Sequence, residues 1–307
     1  MQVTQLMPQT VLLSSLDSLM TSIMGGEQQV ATGSAIQVPS DNPSGTAEDL
    51  NISQAQAWNA QWTRNATTAS SYMSTTNQAL SQLNGALQSA ANIASAGSSA
   101  TENVSEMQAQ ASQVGQLIQE IQQLANTQYA GQYVFGGVSG SAPWNVQTGQ
   151  WNLTAAATPV AFEVGSGVSI PAGVDGFALF QGPVGGGTAG GILSANGATT
   201  PGILETLQSD LASGNSVAVG ADLKAVSNAI AYVSAQQAQL GAQMQRVGAA
   251  SAGLQQVSVQ LAQDLAQVAS TNMPAAIAQL TNQETVYQAA LDVGAKMILP
   301  TLATLMP

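Results

Sequence analysis

The longest regular pattern of apolar residues lies near the C-terminus. Between Leu223 and Val268 the pattern recurs at alternating spacings of three and four, which places these side chains on one stripe of a continuous α-helix. The members are Leu223, Val226, Ile230, Val233, Gln237, Leu240, Met244, Val247, Ser251, Leu254, Ser258, Leu261, Leu265 and Val268. At 1.5 Å per residue, a helix over about 218–271 would be roughly 80 Å long. Pro274 predicts the first turn of a last helix that runs on to about Leu299.

Two similar patterns occupy the first hundred residues. The apolar series over 3–30 predicts a first helix, which Gly33 closes as a C-cap. Its members are Val3, Leu6, Leu13, Leu16, Met20, Ile23 and Val30. Asn42 before Pro43 is typical of an N-cap with proline at the first helical position, so a second helix begins there. Gly97 interrupts this second helix.

A third helix is predicted after this interruption. Ser99 and Glu102 have the spacing of a capping box, which indicates the helix start. One face of the helix is apolar and consists of Val104, Met107, Ala111, Val114, Ile118, Ile121 and Leu124.

The chain changes character between about 131 and 200, where glycine and proline become frequent. Most of the aromatic residues lie here, namely Tyr133, Phe135, Trp144, Trp151, Phe162, Phe177 and Phe180. Period-two stretches at 161–164 and 168–170 predict strands. The glycine-rich tract 182–191 is typical of a flexible surface loop, because no lysine follows it as in a phosphate-binding loop.

Helices from both ends therefore flank a β-rich middle. The predicted fold class is mainly α with a β-rich insertion, an elongated antiparallel bundle formed by the N- and C-terminal segments. We expect 1–44 with 272–307 to form terminal helices that are disordered in the monomer. A long helical bundle domain would comprise 45–132 with 201–271, and a β-rich outer insertion would comprise 133–200.

The charge of the chain restricts its partners. Four basic residues stand against 16 acidic ones, giving a net charge of −12, which repels phosphate backbones and anionic lipids. No nucleic-acid or membrane partner is therefore expected, and no apolar run is long enough to predict a membrane span. Only 7% of residues are charged, against about 25% in ordinary soluble domains. Compositional drift and adaptation to an acidic medium explain this equally well.

The residues for common catalytic and metal sites are missing. The chain has neither cysteine nor histidine, which excludes thiolate nucleophiles, imidazole bases and Cys/His zinc sites. The adjacent acids Glu48 and Asp49 do not share a helical face, and Asp41 with Asn42 is better explained by helix capping than by a cation loop. We expect no catalytic residue, no cofactor and no metal site, so the chain is not predicted to be an enzyme.

A specific motif near the N-terminus carries a family resemblance. Residues 29–33 (QVATG) followed by 39–47 (PSDNPSGTA) resemble the "LSTG … PSDDPAGAA" signature of bacterial flagellins and their hook-associated relatives. Two positions depart from it: Ser34 stands where a basic residue is common, and Asn42 where aspartate is usual. These departures remove charge from the loop but leave the turn chemistry unchanged.

A second motif resembles one branch of that family. Residues 131–137 (GQYVFGG), with Pro143 and Trp144 soon after, are similar to a junction found in the hook-filament junction proteins and usually lacking in filament flagellins. Residues 162–170 and 174–176 resemble the β-domain that follows in those proteins. Residues 275–290 are similar to the family's last helix.

The resemblance implies a structural role in the bacterial flagellum. A protein of this kind connects the hook, through the first hook-associated protein, to the flagellin filament, and it forms a homo-oligomeric ring. It reaches the extracellular flagellum through the flagellar type III export apparatus without a cleaved signal peptide, escorted by an export chaperone. The absence of lysine and arginine before Arg64 agrees with this, because a secretory signal needs a positive start.

Three other functions remain open at this stage. A short filament flagellin would use the same helices, although the 131–137 motif argues against it. A coiled-coil adhesin or phage tail-fibre protein would also combine coiled coil with a β insertion, but would not require both ends to pair. A glycoside hydrolase would need two carboxylates about 5 to 9.5 Å apart, and no motif points to such a pair.

Overall fold

The chain folds mainly into α-helices. A computed structural model describes residues 3–99, 103–153, 158–183, 190–194 and 201–303. The helices are α1 (Val3–Thr32), α2 (Pro43–Gly97), α3 (Val104–Ala125), α4 (Gly176–Phe180), α5 (Ile203–Ser213), α6 (Ser216–Ala269) and α7 (Met273–Ala303). The strands are β1 (Gln128–Tyr129), β2 (Gln132–Tyr133), β3 (Trp144–Asn145), β4 (Gln150–Trp151), β5 (Ala161–Gly165) and β6 (Val168–Pro171).

The residues form two compact units. Unit 1 consists of Met1–Trp58 and Gln256–Pro307, and unit 2 consists of Asn59–Gln255. Unit 1 therefore combines both ends of the chain. The three-part division predicted from the sequence stays a prediction.

Most helix ends follow from local chemistry. Gly33 adopts a left-handed φ of 70° and closes α1, as predicted, because glycine has no side chain to clash there. The Asn42 side chain accepts a hydrogen bond from the Gly45 amide (2.9 Å) and caps α2, whose first residue is Pro43. Pro274 lies in the first turn of α7, as expected.

The predicted start of α3 is wrong. The capping box is formed by Asn103 and Glu106 instead of Ser99 and Glu102. The Asn103 side chain accepts the Glu106 amide (2.9 Å), and Glu106 accepts the Asn103 amide (3.4 Å). Glu102 itself lies outside the described residues.

The core of unit 2 follows the predicted stripe of α6. Every seventh residue from Val219 to Leu254 is buried, namely Val219, Val226, Val233, Leu240, Val247 and Leu254. Helix α2 lies antiparallel beside it, because the Asn59 amide group donates to the Leu254 carbonyl (3.0 Å) while Asn84 donates to Gln237 (3.4 Å). Gln237, a polar interruption of the stripe, thus has a partner on α2.

The insertion contains three two-stranded antiparallel sheets, β1 with β2, β3 with β4 and β5 with β6. The strands expected at 161–164 and 168–170 correspond to β5 and β6. Hairpin β1–β2 turns through Ala130 (φ 48°) and Gly131 (φ 82°), the positive values that a tight hairpin turn needs. Residues 184–189 of the predicted glycine-rich loop lie outside the described residues.

Two aromatic clusters hold the insertion within unit 2. The Tyr72 ring of α2 makes edge contacts with Tyr129 and Phe162, with ring centroids 6.0 Å apart in both pairs. In the second cluster, Trp151 stacks on Phe180 at 5.4 Å, and Phe135 meets the edge of Phe180 at 5.3 Å. Phe135, Trp151 and Phe180 are therefore core residues, and the half-buried Trp144 and Phe162 pack against that core.

One buried carboxyl group makes the stability of unit 2 depend on pH. Asp222 is only 8% exposed, and burial, with the nearby carboxyl group of Asp210, raises its pKa to about 6. Because the folded state binds this proton more tightly than the unfolded state, the stabilisation is complete below about pH 4 and is lost as pH rises through about 6.

We expect Asp222→Asn to stabilise unit 2 at pH 7.5 by about 1–2 kcal/mol. One pKa unit corresponds to about 1.4 kcal/mol, and the effect is reduced because solvent screens the charge of the partly exposed Asp210. The gain should shrink towards zero at pH 4. Urea denaturation at both pH values measures it, with the exposed Glu120→Gln as the control. An equal effect of Asp222→Asn at both pH values would contradict the assignment.

Candidate assembly interface

The two ends of the chain pair directly in unit 1. The Tyr287 hydroxyl of α7 lies 3.7 Å from the Met20 sulfur of α1. A Cβ atom on Gly26 would lie 3.3 Å from Leu280, and one on Gly294 would lie 3.1 Å from Leu12. Residue numbers increase along α1 while those of the contacting residues on α7 decrease, so the two helices are antiparallel.

The contact between α1 and α7 is a heptad-like seam. On α1 the seam consists of Leu12, Leu16, Leu19, Ile23, Gly26 and Val30, all of them half-buried. On α7 the seam consists of Ala276, Leu280, Gln283, Tyr287, Ala290 and Gly294. Spacings of three and four on both helices are those of coiled-coil packing.

The apolar series that predicted α1 coincides only in part with the seam. Leu16, Ile23 and Val30 lie on the seam, but Leu13 is 65% and Met20 is 50% exposed. Leu12, Leu19 and Gly26, which the prediction did not include, complete the seam instead. Leu12 and Leu19, like Leu13 and Met20, have three-four spacing with Leu16 and Ile23, so spacing alone did not distinguish the two sets in the sequence.

The pair is incompletely buried. Among the described side chains of α1 and α7, over residues 10–32 and 273–295, only Gly294 is buried. Large apolar side chains next to the seam face solvent: Val11, Leu13, Met20, Met24, Ile277, Val286, Leu291 and Val293. Exposed apolar side chains concentrated along a helix pair in this way are typical of an interaction site.

The loop after α1, which belongs to the N-terminal sequence motif, is hydrogen-bonded to the segment that connects α6 and α7. The Ala35 amide donates to the Ala269 carbonyl (2.7 Å), and the Thr271 amide donates to the Gly33 carbonyl (3.0 Å). The Asp41 carboxylate accepts the amides of Gln37 (3.2 Å) and Val38 (3.0 Å). Asp41 and Asn42 thus serve turn formation and capping, as the sequence indicated.

The described residues contain no group of three or more acidic side chains that would hold a metal ion. The acids Glu48 and Asp49 are consecutive residues within α2. In the part of the chain that the structure covers, no helix combines the length and apolarity needed to cross a bilayer. The arrangement of α1 and α7 offers apolar surface for protein contacts.

Comparisons with known proteins agree with the sequence motifs. Residues 3–139 match the family described as the bacterial flagellin N-terminal helical region. Flagellar hook-associated protein 3 of Escherichia coli (strain K12) is 31% identical over 126 residues, which cover 40% of this chain and 40% of that protein. The aligned segment thus spans about two fifths of the curated relative. The predicted resemblance to flagellins and their hook-associated relatives is confirmed.

Solved structures share the fold. A flagellar hook-associated protein from Vibrio parahaemolyticus superposes with a TM-score of 0.64 at 16% identity, covering 75% of this chain and 100% of that chain. FlgL from Xanthomonas campestris gives a TM-score of 0.58 at 16% identity, covering 70% of this chain and 99% of its own. The predicted fold class, mainly α with a β-rich insertion and paired terminal segments, is confirmed.

Proposed function

We propose that this chain, which matches the flagellin N-terminal helical region over 3–139, is a non-catalytic structural subunit joining the hook to the flagellin filament. The similarity to flagellar hook-associated protein 3 supports this role. So does the 131–137 motif, which resembles the junction branch more than filament flagellins. In unit 2 this motif supplies the tight β1–β2 turn and the buried Phe135.

The incomplete α1–α7 pair is the observation that carries the proposal. Two helices that leave Leu13, Met20 and Val286 about half exposed or more gain stability when further helices cover these side chains, at about 25 cal/mol per Å² of apolar surface. The segments 1–44 and 272–307 therefore order on assembly. The bundle domain (45–132 with 201–271) and the insertion (133–200) form the remaining parts of the subunit.

The proposed partners follow from the role. Copies of the chain form a ring, which contacts the first hook-associated protein on one side and flagellin on the other. An export chaperone covers the apolar terminal segments before secretion. The subunit leaves the cell through the flagellar export apparatus without a cleaved signal peptide and resides in the extracellular flagellum.

A deletion strain tests the junction role. Cells without this chain should carry hooks but no filaments and should secrete flagellin into the medium, because the filament has no adaptor on which to grow. Electron microscopy and analysis of the culture supernatant measure both outcomes, and complementation with the full chain is the control. If the deletion strain instead has no filaments and secretes no flagellin into the medium, the chain is the filament subunit itself.

A further inference from the structure

A groove with two carboxylates in its lining runs along one flank of the α1–α7 pair. It has a volume of about 240 Å³ and lies entirely within unit 1. The lining residues are Met20, Ile23, Met24, Glu27, Glu284, Tyr287 and Gln288. Its floor is therefore apolar, while each helix contributes one carboxylate.

The flank continues beyond the groove as an apolar track on both helices. Leu13 lies seven positions before Met20, and Ile277 and Leu291 lie seven positions on either side of Glu284. A spacing of seven keeps residues on the same helical face. Leu13, Met20, Met24, Ile277 and Leu291 are between 46% and 65% exposed. The flank thus has the form that receives a third amphipathic helix, with apolar anchors on both sides of an acidic centre.

The charge identifies the kind of helix that fits. A helix laid in this groove would remove Glu27 and Glu284 from water, which is costly unless a cation pairs with them. None of the residues lining the groove in the described part of unit 1 is basic. The occupant must therefore bring lysine or arginine to the centre of the groove.

A second copy of the chain is a poor source of this cation. Segments 1–58 and 256–307 contain a single basic residue, Lys296, against the acids Asp17, Glu27, Asp41, Glu48, Asp49, Asp264, Glu284 and Asp292. Contact between the terminal units of two copies therefore brings mainly like charges together, which is unfavourable. A different protein has no such restriction.

We infer that the groove between Met20, Met24, Glu27 and Glu284 binds an amphipathic helix of a different flagellar protein, one with a lysine or arginine flanked by apolar residues. The inference rests on the proposed function and names the partner chemistry of the same assembly surface. It makes this flank a contact between unlike subunits. Val286 and Val293 lie on the opposite flank of α7, outside the lining of this groove.

Photocrosslinking in assembled flagella tests the inference. A benzophenone residue in place of Met24 should crosslink to a protein other than this chain, and mass spectrometry should map the crosslink within one helical turn of a lysine or arginine. The matched control carries the benzophenone in place of Val286, which is similarly exposed but lies on the opposite flank. A Met24 crosslink to a second copy, or to a segment without basic residues, would overturn the inference.

Charge neutralisation gives a second test in which the sign of the effect decides. The double variant Glu27→Gln with Glu284→Gln should lower the amount of subunit in purified flagella at least five-fold, because it removes the attraction to the basic helix. A control with the same change in net charge, Glu48→Gln with Asp292→Asn, should leave incorporation within two-fold. Unchanged incorporation of the first variant would show that the two carboxylates make no attractive contact, and increased incorporation would show that they repel a like charge. Either result would overturn the inference.

The two tests also separate this inference from the proposed function. If the unaltered chain is found between hook and filament but Met24 contacts another copy, the junction role stands and the inference fails. If the chain is absent from purified flagella, both fail.

Discussion

Removing residues from Ala275 onward should abolish incorporation of the subunit into flagella while leaving unit 2 folded. The truncation deletes nearly all of α7 and with it every partner of the α1 seam, including Leu280 and Tyr287. Helix α1 then keeps an uncovered apolar stripe and cannot form the two-helix surface that neighbouring subunits would recognise. Because unit 2 consists of Asn59–Gln255, its core contains no residue of the deleted segment.

Expression of the truncated chain in the deletion strain measures the first effect, and the filament should remain absent. Thermal unfolding of the purified chain, followed by circular dichroism, measures the second, and the unit 2 transition should shift by less than about 3 °C, the size of shift that 1 kcal/mol produces in a domain of this length. Filaments attached to hooks in cells producing the truncated chain would contradict the assigned role of α7.

An engineered disulfide separates the pairing of α1 with α7 from other roles of the C-terminal segment. A Cβ atom on Gly26 would lie 4.0 Å from the Leu280 Cβ atom, close to the disulfide average of about 3.8 Å. The chain has no cysteine of its own, so Gly26→Cys with Leu280→Cys should crosslink in assembled flagella. Gly25→Cys with Leu280→Cys is the matched control, because a Cβ atom on Gly25 has no neighbour within 4 Å.

The helix boundaries were predictable where a short stretch of sequence decides them. Gly33, Asn42 with Pro43 and Pro274 each act within one turn of their own position, and each has the predicted role. The start of α3 was not decided locally, because Ser99 with Glu102 and Asn103 with Glu106 have the same capping-box spacing. The later box is the one present, and α3 then buries Met107 in its first turn.

Helix α5 could have been found from the sequence but was not predicted as a separate element. Ile203, Leu204, Leu207 and Leu211 form one buried face, and Gly214 ends the helix with a left-handed φ of 72°. At 11 residues the pattern is short, and it lies between the glycine-rich tract 182–191 and the much longer helix α6.

The orientation of α1 depended on a distant partner. The helix carries two neighbouring apolar stripes, one through Leu12 and Leu19 and one through Leu13 and Met20, and local sequence does not rank them. Gly26 and Gly294 allow close approach between α1 and α7, which favours the first stripe as the seam. Because the stripe through Leu12 and Leu19 forms the seam, Met20 and Met24 lie beside the seam and line the candidate groove.

Replacing Tyr72 with alanine should destabilise unit 2 by about 4 kcal/mol, the range for removing a large aromatic side chain from a core. Tyr72 is 1% exposed, and its ring contacts both Tyr129 and Phe162. Its hydroxyl donates a hydrogen bond to the buried Val134 carbonyl (3.1 Å). A tyrosine hydroxyl is protonated at neutral pH and can donate this bond, and burial raises the pKa of Tyr72 further, to about 12.

The conservative variant separates packing from hydrogen bonding. Tyr72→Phe keeps the ring but leaves the Val134 carbonyl without this donor, so the loss should be about 1–2 kcal/mol. Urea denaturation followed by tryptophan fluorescence measures both variants, with Val146→Ala as the control, because Val146 is 74% exposed in the β3–β4 hairpin. If Tyr72→Ala lowered the free energy of unfolding no more than Val146→Ala does, the contacts of Tyr72 would not stabilise the packing of the 131–137 motif against α2.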